Sequence, residues 1–196
     1  MTEKKIAPLK MIHLFDNIPV VALPEGFTCR NFQKGEEEIW LNICKNGIID
    51  ESADLESMWA KYILKQPMNP ETDTFFVCDE TGKPVATFSG YVLDDGTGNV
   101  HMVAAVPEVR GMGIGKYMVS AVLQAMDKKV PAETHMQRLT THDFRLAAVC
   151  GYLKGGFHPV LYDEGMEERW RKVCNELNFH GVEMLDFDGN PTGIIL

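Results

Sequence analysis

The stretch that most constrains this chain is Val106-Pro107-Glu108-Val109-Arg110-Gly111-Met112-Gly113-Ile114-Gly115-Lys116. An apolar run, Val100 to Val106, leads into it and an apolar-periodic stretch, Tyr117 to Val130, leads out. That order predicts strand, glycine-rich turn and helix. Such a turn leaves unpaired backbone N–H groups at the positive end of a helix dipole, where an anion can sit. Three glycines at alternate positions let the backbone approach a bulky ligand with no Cβ in the way. Arg110 and Lys116 bracket these amides with positive charge, and a diphosphate is the ligand this chemistry suits best.

Spacing separates the glycine-rich turns that bind diphosphates. A P-loop needs Gly-x-x-x-x-Gly-Lys-Ser/Thr; counted back from Gly115-Lys116 its first glycine falls on Arg110, and its hydroxyl position is Tyr117. A dinucleotide turn needs Gly-x-Gly-x-x-Gly; from Gly111 it ends on Lys116 and from Gly113 on Met118. Both fail. What remains is Arg-x-x-Gly-x-Gly, Arg110 to Gly115, after a strand ending Ala105-Val106-Pro107-Glu108. This resembles the acyl-CoA-binding motif of the GNAT superfamily of N-acetyltransferases.

The rest of the chain reads as one α+β domain over residues 1–196. Phe27 to Phe32 is a first strand, Lys34 to Lys45 a helix, and Ala53 to Lys65 a second helix stopped by Pro67 and Pro70. Thr74–Cys78, Val85–Leu93 and Asn99–Val106, joined by Asp-, Gly- and Pro-containing turns, form an antiparallel meander. After the glycine turn come a helix to Lys129, a strand Met136–Thr141 parallel to the one before the turn, a helix Phe144–Leu153, a strand Phe157–Tyr162 and a helix Met166–Leu177. Met11–Phe15 and Val20–Leu23 read as an edge strand or an arm, and residues 178–196 as a tail or extra hairpin.

A formal net charge of −9 argues against nucleic-acid binding, which needs a basic face, and is compatible with a cationic substrate. Cys29, Cys44, Cys78, Cys150 and Cys174 are odd in number and scattered, so neither a disulfide framework nor a zinc site is expected. The basic stretch Met1 to Lys10 is followed by no apolar h-region, and the chain has no run of about 20 apolar residues. The expectation is a cytoplasmic protein with no membrane partner.

A second stretch extends the resemblance. Arg145-Leu146-Ala147-Ala148-Val149-Cys150-Gly151-Tyr152-Leu153-Lys154-Gly155-Gly156-Phe157 is similar to the second GNAT signature, where an Asn opens a helix, Ala follows at plus three, Tyr at plus seven, and Gly-Phe closes it. Ala148, Tyr152 and Gly156-Phe157 fit, and Arg145 stands in place of the Asn. Leu23-Pro24-Glu25-Gly26-Phe27 through Gly35-Glu36-Glu37-Glu38 also looks like the start of small bacterial GNAT proteins, so the resemblance spans about residues 23–177. It implies a three-layer α/β/α fold whose mixed, mostly antiparallel sheet is splayed between its fourth and fifth strands, with acyl-CoA in the wedge. On that pattern Ala104, Ala105 and Val106 hold the acyl and pantetheine part through backbone groups. Arg110, Gly111, Met112, Gly113, Ile114, Gly115 and Lys116 cradle the diphosphate. Arg145 takes the pantetheine contact of the missing Asn, and Tyr152 is the general acid at the thioester sulfur. The implied reaction is direct transfer from acetyl-CoA to the amine of a small molecule or peptide in a ternary complex, with no metal; the alternative is a regulatory module that binds acyl-CoA without turnover.

Two histidines are candidate bases: His101 before the glycine turn, and His142 beside Asp143 at a strand-to-helix junction. Simple alternation puts His101 on the face opposite Met102, Ala104 and Val106. Asp186-Phe187-Asp188-Gly189-Asn190 begins like a calcium loop, but its glycine is misplaced, and it is read as a turn. Acceptor choice is expected from the helices between Lys34 and Lys65 and from the tail, and a homodimer is left open.

Overall fold

The computed structural model describes residues 7–196; most of the basic N-terminal stretch lies outside them. Four strands open the sheet in antiparallel order: β2 (Thr28–Asn31), β3 (Thr74–Cys78), β4 (Pro84–Val92) and β5 (Gly98–Ala105). The tight turns between them are local chemistry. Asp79 Oδ1 accepts from the amides of Thr81 and Lys83 at 2.9 and 3.1 Å, and Asp95 Oδ1 accepts from that of Thr97 at 2.9 Å.

Beyond β5 lie β6 (Gln137–Thr141), β1 (Leu9–His13) and the two-residue β7 (His158–Pro159), giving the order β2-β3-β4-β5-β6-β1-β7. The N-terminal segment, expected as an edge strand or arm, is instead an interior strand, antiparallel to β6 on one side and β7 on the other. Its alternation explains the position: Leu9, Met11 and His13 are buried on one face and Ile12 on the other. A strand covered on both faces belongs inside a sheet.

Helices cover both faces. α1 (Glu37–Cys44) and α2 (Leu55–Trp59), which continues as a single π turn over Ala60–Leu64, pack Trp40, Ile43 and Ile63 against Phe76, Met102 and Ala104. After the short α3 (Pro70–Asp73), α4 (Ile114–Asp127), α5 (Leu146–Lys154) and α6 (Met166–Glu176) cover the opposite face. There Met118, Val122, Met126, Val149 and Trp170 meet Val77, Phe88, Val100 and Leu139. The chain closes in a hairpin, β8 (Val182–Leu185) and β9 (Pro191–Ile195), whose turn is held by Asp186 Oδ1 accepting from the amides of Asp188 and Asn190.

Two irregularities place the site. A parallel pairing joins β5 to β6 at Gly98–Gln137 and Asn99–Arg138 and goes no further among the described residues. Past those residues the fourth and fifth strands of the sheet diverge, opening a wedge. Within β5, three steps from His101 to Ala104 face two from Ser89 to Thr87, and Met102 takes φ 50°. This β-bulge bends the strand at the edge of the wedge and flips the side-chain alternation.

Candidate functional site

The wedge is a groove of about 720 Å³ with β5 on one wall and β6 and α5 on the other. Its lining includes Ala104, Ala105, Arg110, Gly115, His101, His142, Arg145 and Tyr152, and runs in all from Asn46 to Tyr152. Val106, Gly111, Met112, Gly113, Ile114 and Lys116 belong to the turn without lining the groove. Ile114 is instead buried in the core beneath α4, while Lys116 is exposed on its first turn.

At one end the chain leaves β5, makes a 3₁₀ turn over Pro107–Val109, and enters α4 through Gly111 and Gly113, at φ 80° and 90°. Gly113 is the N-cap in a left-handed conformation, so the sequence needs glycine there for its backbone angles. The amides of Lys116 and Tyr117 bond back to the Gly113 carbonyl at 3.1 and 3.2 Å. Those of Ile114 and Gly115 precede any intrahelical partner and are left for a ligand or water. Gly113→Ala is expected to cost about 1–2 kcal/mol of stability, measured by urea unfolding; an unchanged midpoint would show that the left-handed cap is dispensable.

Arg110 does not point back over these amides. It crosses to the α1–α2 loop, where Nη2 donates to the Asn46 carbonyl at 2.9 Å. Asn46, Gly47 and Ile48 therefore form a groove wall, one the sequence reading missed because this loop carries no motif beyond Gly47, at φ 120°.

At the other end α5 presents Tyr152, 8% exposed, with its ring edge-on to Phe157 at 5.8 Å. Burial pushes its phenol up to about 12, against a smaller downward pull from Arg145. Arg145 is the N-cap residue of α5 and lies along the same groove, with its Nε buried and without a hydrogen-bond partner among the described residues. The position occupied by Asn in the resembling pattern here carries a cation.

The bulge at Met102 changes where His101 points. Instead of opposing Ala104 it turns to the α1–α2 layer, where its Nε2 lies 2.7 Å from the Tyr62 carbonyl, in the middle of the π turn. A carbonyl only accepts, so Nε2 carries the proton and Nδ1 holds the lone pair. Burial lowers the His101 pKa, which keeps the ring neutral at physiological pH. His142 stacks on the exposed Phe144 ring at 5.3 Å; partial burial first, then Arg145, lowers its pKa. Asp143 is committed elsewhere, to Arg169 Nε at 3.1 Å and to its Nη2.

The site is thus a wedge between two diverging strands, with a glycine turn and open amides at one end and a buried tyrosine at the other. Residues 37–157 match the model of the acetyltransferase (GNAT) family, and the chain belongs to that family. Over 122 residues it is 26% identical to an uncharacterised N-acetyltransferase of Methanocaldococcus jannaschii, covering 56% of this chain and 52% of that one. Over 120 residues it is 26% identical to the mycothiol acetyltransferase of Thermomonospora curvata, covering 59% of this chain and 40% of that one. The chain thus spans about half the length of these relatives or less. Among solved structures, a GCN5-related N-acetyltransferase of Sphaerobacter thermophilus superposes with a TM-score of 0.64 at 21% identity, over 78% of this chain and 48% of that one, which shows the shared fold.

Proposed function

We propose that this chain transfers an acetyl group from acetyl-CoA to an amine, by direct attack within a ternary complex. The observation that carries the reading is the single groove that joins the α4 N-terminus at Gly115 to Tyr152, with the cation of Arg145 in the same lining. The free amides suit the diphosphate. The unpaired backbone edge of β5 at Ala104 and Ala105 suits the amide-bearing pantetheine arm, and Tyr152 the sulfur.

The reaction balances as follows. An ammonium acceptor loses one proton and its nitrogen lone pair forms the C–N bond. The C–S bond breaks with its electron pair on sulfur, and the nitrogen sheds a second proton. One of the two protons ends on sulfur and one is released. His101, neutral and with Nδ1 as its acceptor nitrogen, is the better placed of the two histidines to take a proton, directly or through water. Tyr152 meets the charge that grows on sulfur.

The deciding experiment is a thermal-shift series with acetyl-CoA, CoA, ATP and NAD, followed by thiol release with an amine panel. A ligand at 100 times its dissociation constant adds about 2.7 kcal/mol, so acetyl-CoA and CoA should raise the melting temperature and ATP and NAD should not. Stabilisation by ATP or NAD alone would overturn the cofactor assignment. Acetyl-CoA binding with no thiol release on any amine would favour the binding module over the enzyme.

A further inference from the structure

A second cavity, about 220 Å³, lies on the same sheet face as α1 and α2, beyond the part they cover, between β6, β1 and the β8–β9 turn. It meets the acyl-CoA groove along β6, because Leu139 and Thr140 line both. Its walls are apolar, from Ile12, Leu93 and Val160, and its charges are all of one sign. Lys10 and Arg138 reach it from neighbouring strands, and no carboxylate lines it among the described residues.

Those two cations are gathered on one aromatic ring. Lys10 Nζ stands 4.5 Å from the centroid of Phe187 and 4.1 Å from that of Tyr162, and Arg138 Cζ stands 4.9 Å from the centroid of Phe187. Arg138 pairs with Asp95 at 2.9 Å, and Lys10 has no carboxylate within 4 Å among the described residues. Arg138 Nε is buried and unpartnered among the same residues. Two cations held around one ring and balanced by a single carboxylate leave a net positive charge. On a chain of formal net charge −9 that is a local reversal of sign. Like charges brought together repel unless an anion joins them, and a guanidinium beside an ammonium suits a carboxylate.

The cavity is also joined to the chemistry. Asn99, in its lining, precedes His101 by two residues on β5, ahead of the bulge, so both side chains share a face about 7 Å apart. The geometry points to an acceptor that is an apolar amino acid: its carboxylate held by Lys10 and Arg138, its side chain against Ile12, Leu93 and Val160, and its amine turned along β6 toward His101 and the wedge. This rests on the acetyl-transfer reading and gives it a substrate class; the product would be an N-acetylamino acid.

The test pairs each amino acid with its decarboxylated amine: leucine with 3-methylbutylamine, methionine with 3-(methylthio)propylamine, phenylalanine with phenethylamine. The side chain is kept and the carboxylate removed. Thiol release from acetyl-CoA is followed for each. The amino acid is expected to have the higher kcat/KM by at least about tenfold, the size of a charge-assisted contact. Lys10→Gln should collapse that ratio and Lys10→Arg should restore it, with acetyl-CoA affinity showing that the fold survives. Equal rates within a pair, or a faster decarboxylated amine, overturn the assignment. Should no amine be acetylated, the enzyme reading fails separately, and ligand-observed NMR with leucine decides the cavity: saturable binding lost in Lys10→Gln supports it, and absence of binding to the acetyl-CoA-loaded protein overturns it.

Discussion

Tyr152→Phe is expected to lower kcat by about a hundredfold, the low end for a positioned acid, and to leave acetyl-CoA affinity within about threefold. The size follows from the surroundings of the phenol. Burial holds it at about 12, so complete proton transfer to a thiolate whose conjugate acid lies at about 8.5 runs uphill by about 5 kcal/mol. From the reference phenol alone the figure is about 2 kcal/mol. In the proposed reaction Tyr152 therefore acts as a hydrogen-bond donor to developing negative charge, beside the Arg145 cation, with the thiol's proton coming in the end from solvent. Because phenylalanine keeps the edge-on packing against Phe157, the substitution should leave the fold intact. Steady-state kinetics and acetyl-CoA titration check the two halves separately. An unchanged kcat with chemistry rate-limiting would remove Tyr152 from the mechanism.

Both ends of the groove were legible in the sequence because each is written in a short stretch: Arg110 to Gly115 for the turn, Ala148 to Phe157 for the tyrosine helix. The meander was legible for the same reason, since Asp79 and Asp95 close their own turns. What escaped was set by contacts between distant segments. β1 looks like an edge strand or an arm because Asp16-Asn17 and Pro19 split the apolar pieces Met11–Phe15 and Val20–Leu23, and only pairing with β6, far along the chain, makes it an interior strand. The orientation of His101 escaped because it depends on Met102 adopting φ 50°, which no residue type at that position announces. The cationic cavity is assembled from β1, β6 and the last hairpin, and no local pattern records it.

Acid should unfold this protein through His13 before its carboxylates titrate. His13 ends β1 opposite Gln137, which pairs in turn with Gly98, so the three residues form a row across the closed end of the wedge. The packing there is tight: a Cβ on Gly98 would fall 2.1 Å from Gln137 Oε1. His13 is fully buried, and its Nδ1 accepts from the Phe15 amide at 2.8 Å. Protonation would place a charge among Phe15 and Phe157 and set two donors against each other. Burial lowers its pKa from 6.5 to about 4; Asp16 and Asp127 pull it upward and His158 downward, and burial wins. With the folded value depressed, the full stability is present above pH 6.5 and falls as the unfolded state takes up the proton first. The loss levels off below about pH 4 at about 3 kcal/mol, with about 2 kcal/mol gone by pH 5. His13→Asn keeps an acceptor for the Phe15 amide and removes the titration. Urea unfolding at pH 7 and pH 5 should therefore show the wild type losing about 2 kcal/mol more than the variant does over that step. Equal losses would mean that His13 is not the acid-sensitive group. A matching fall in acetyl-CoA affinity at pH 5, absent in the variant, would tie the closed end of the wedge to the groove it opens into.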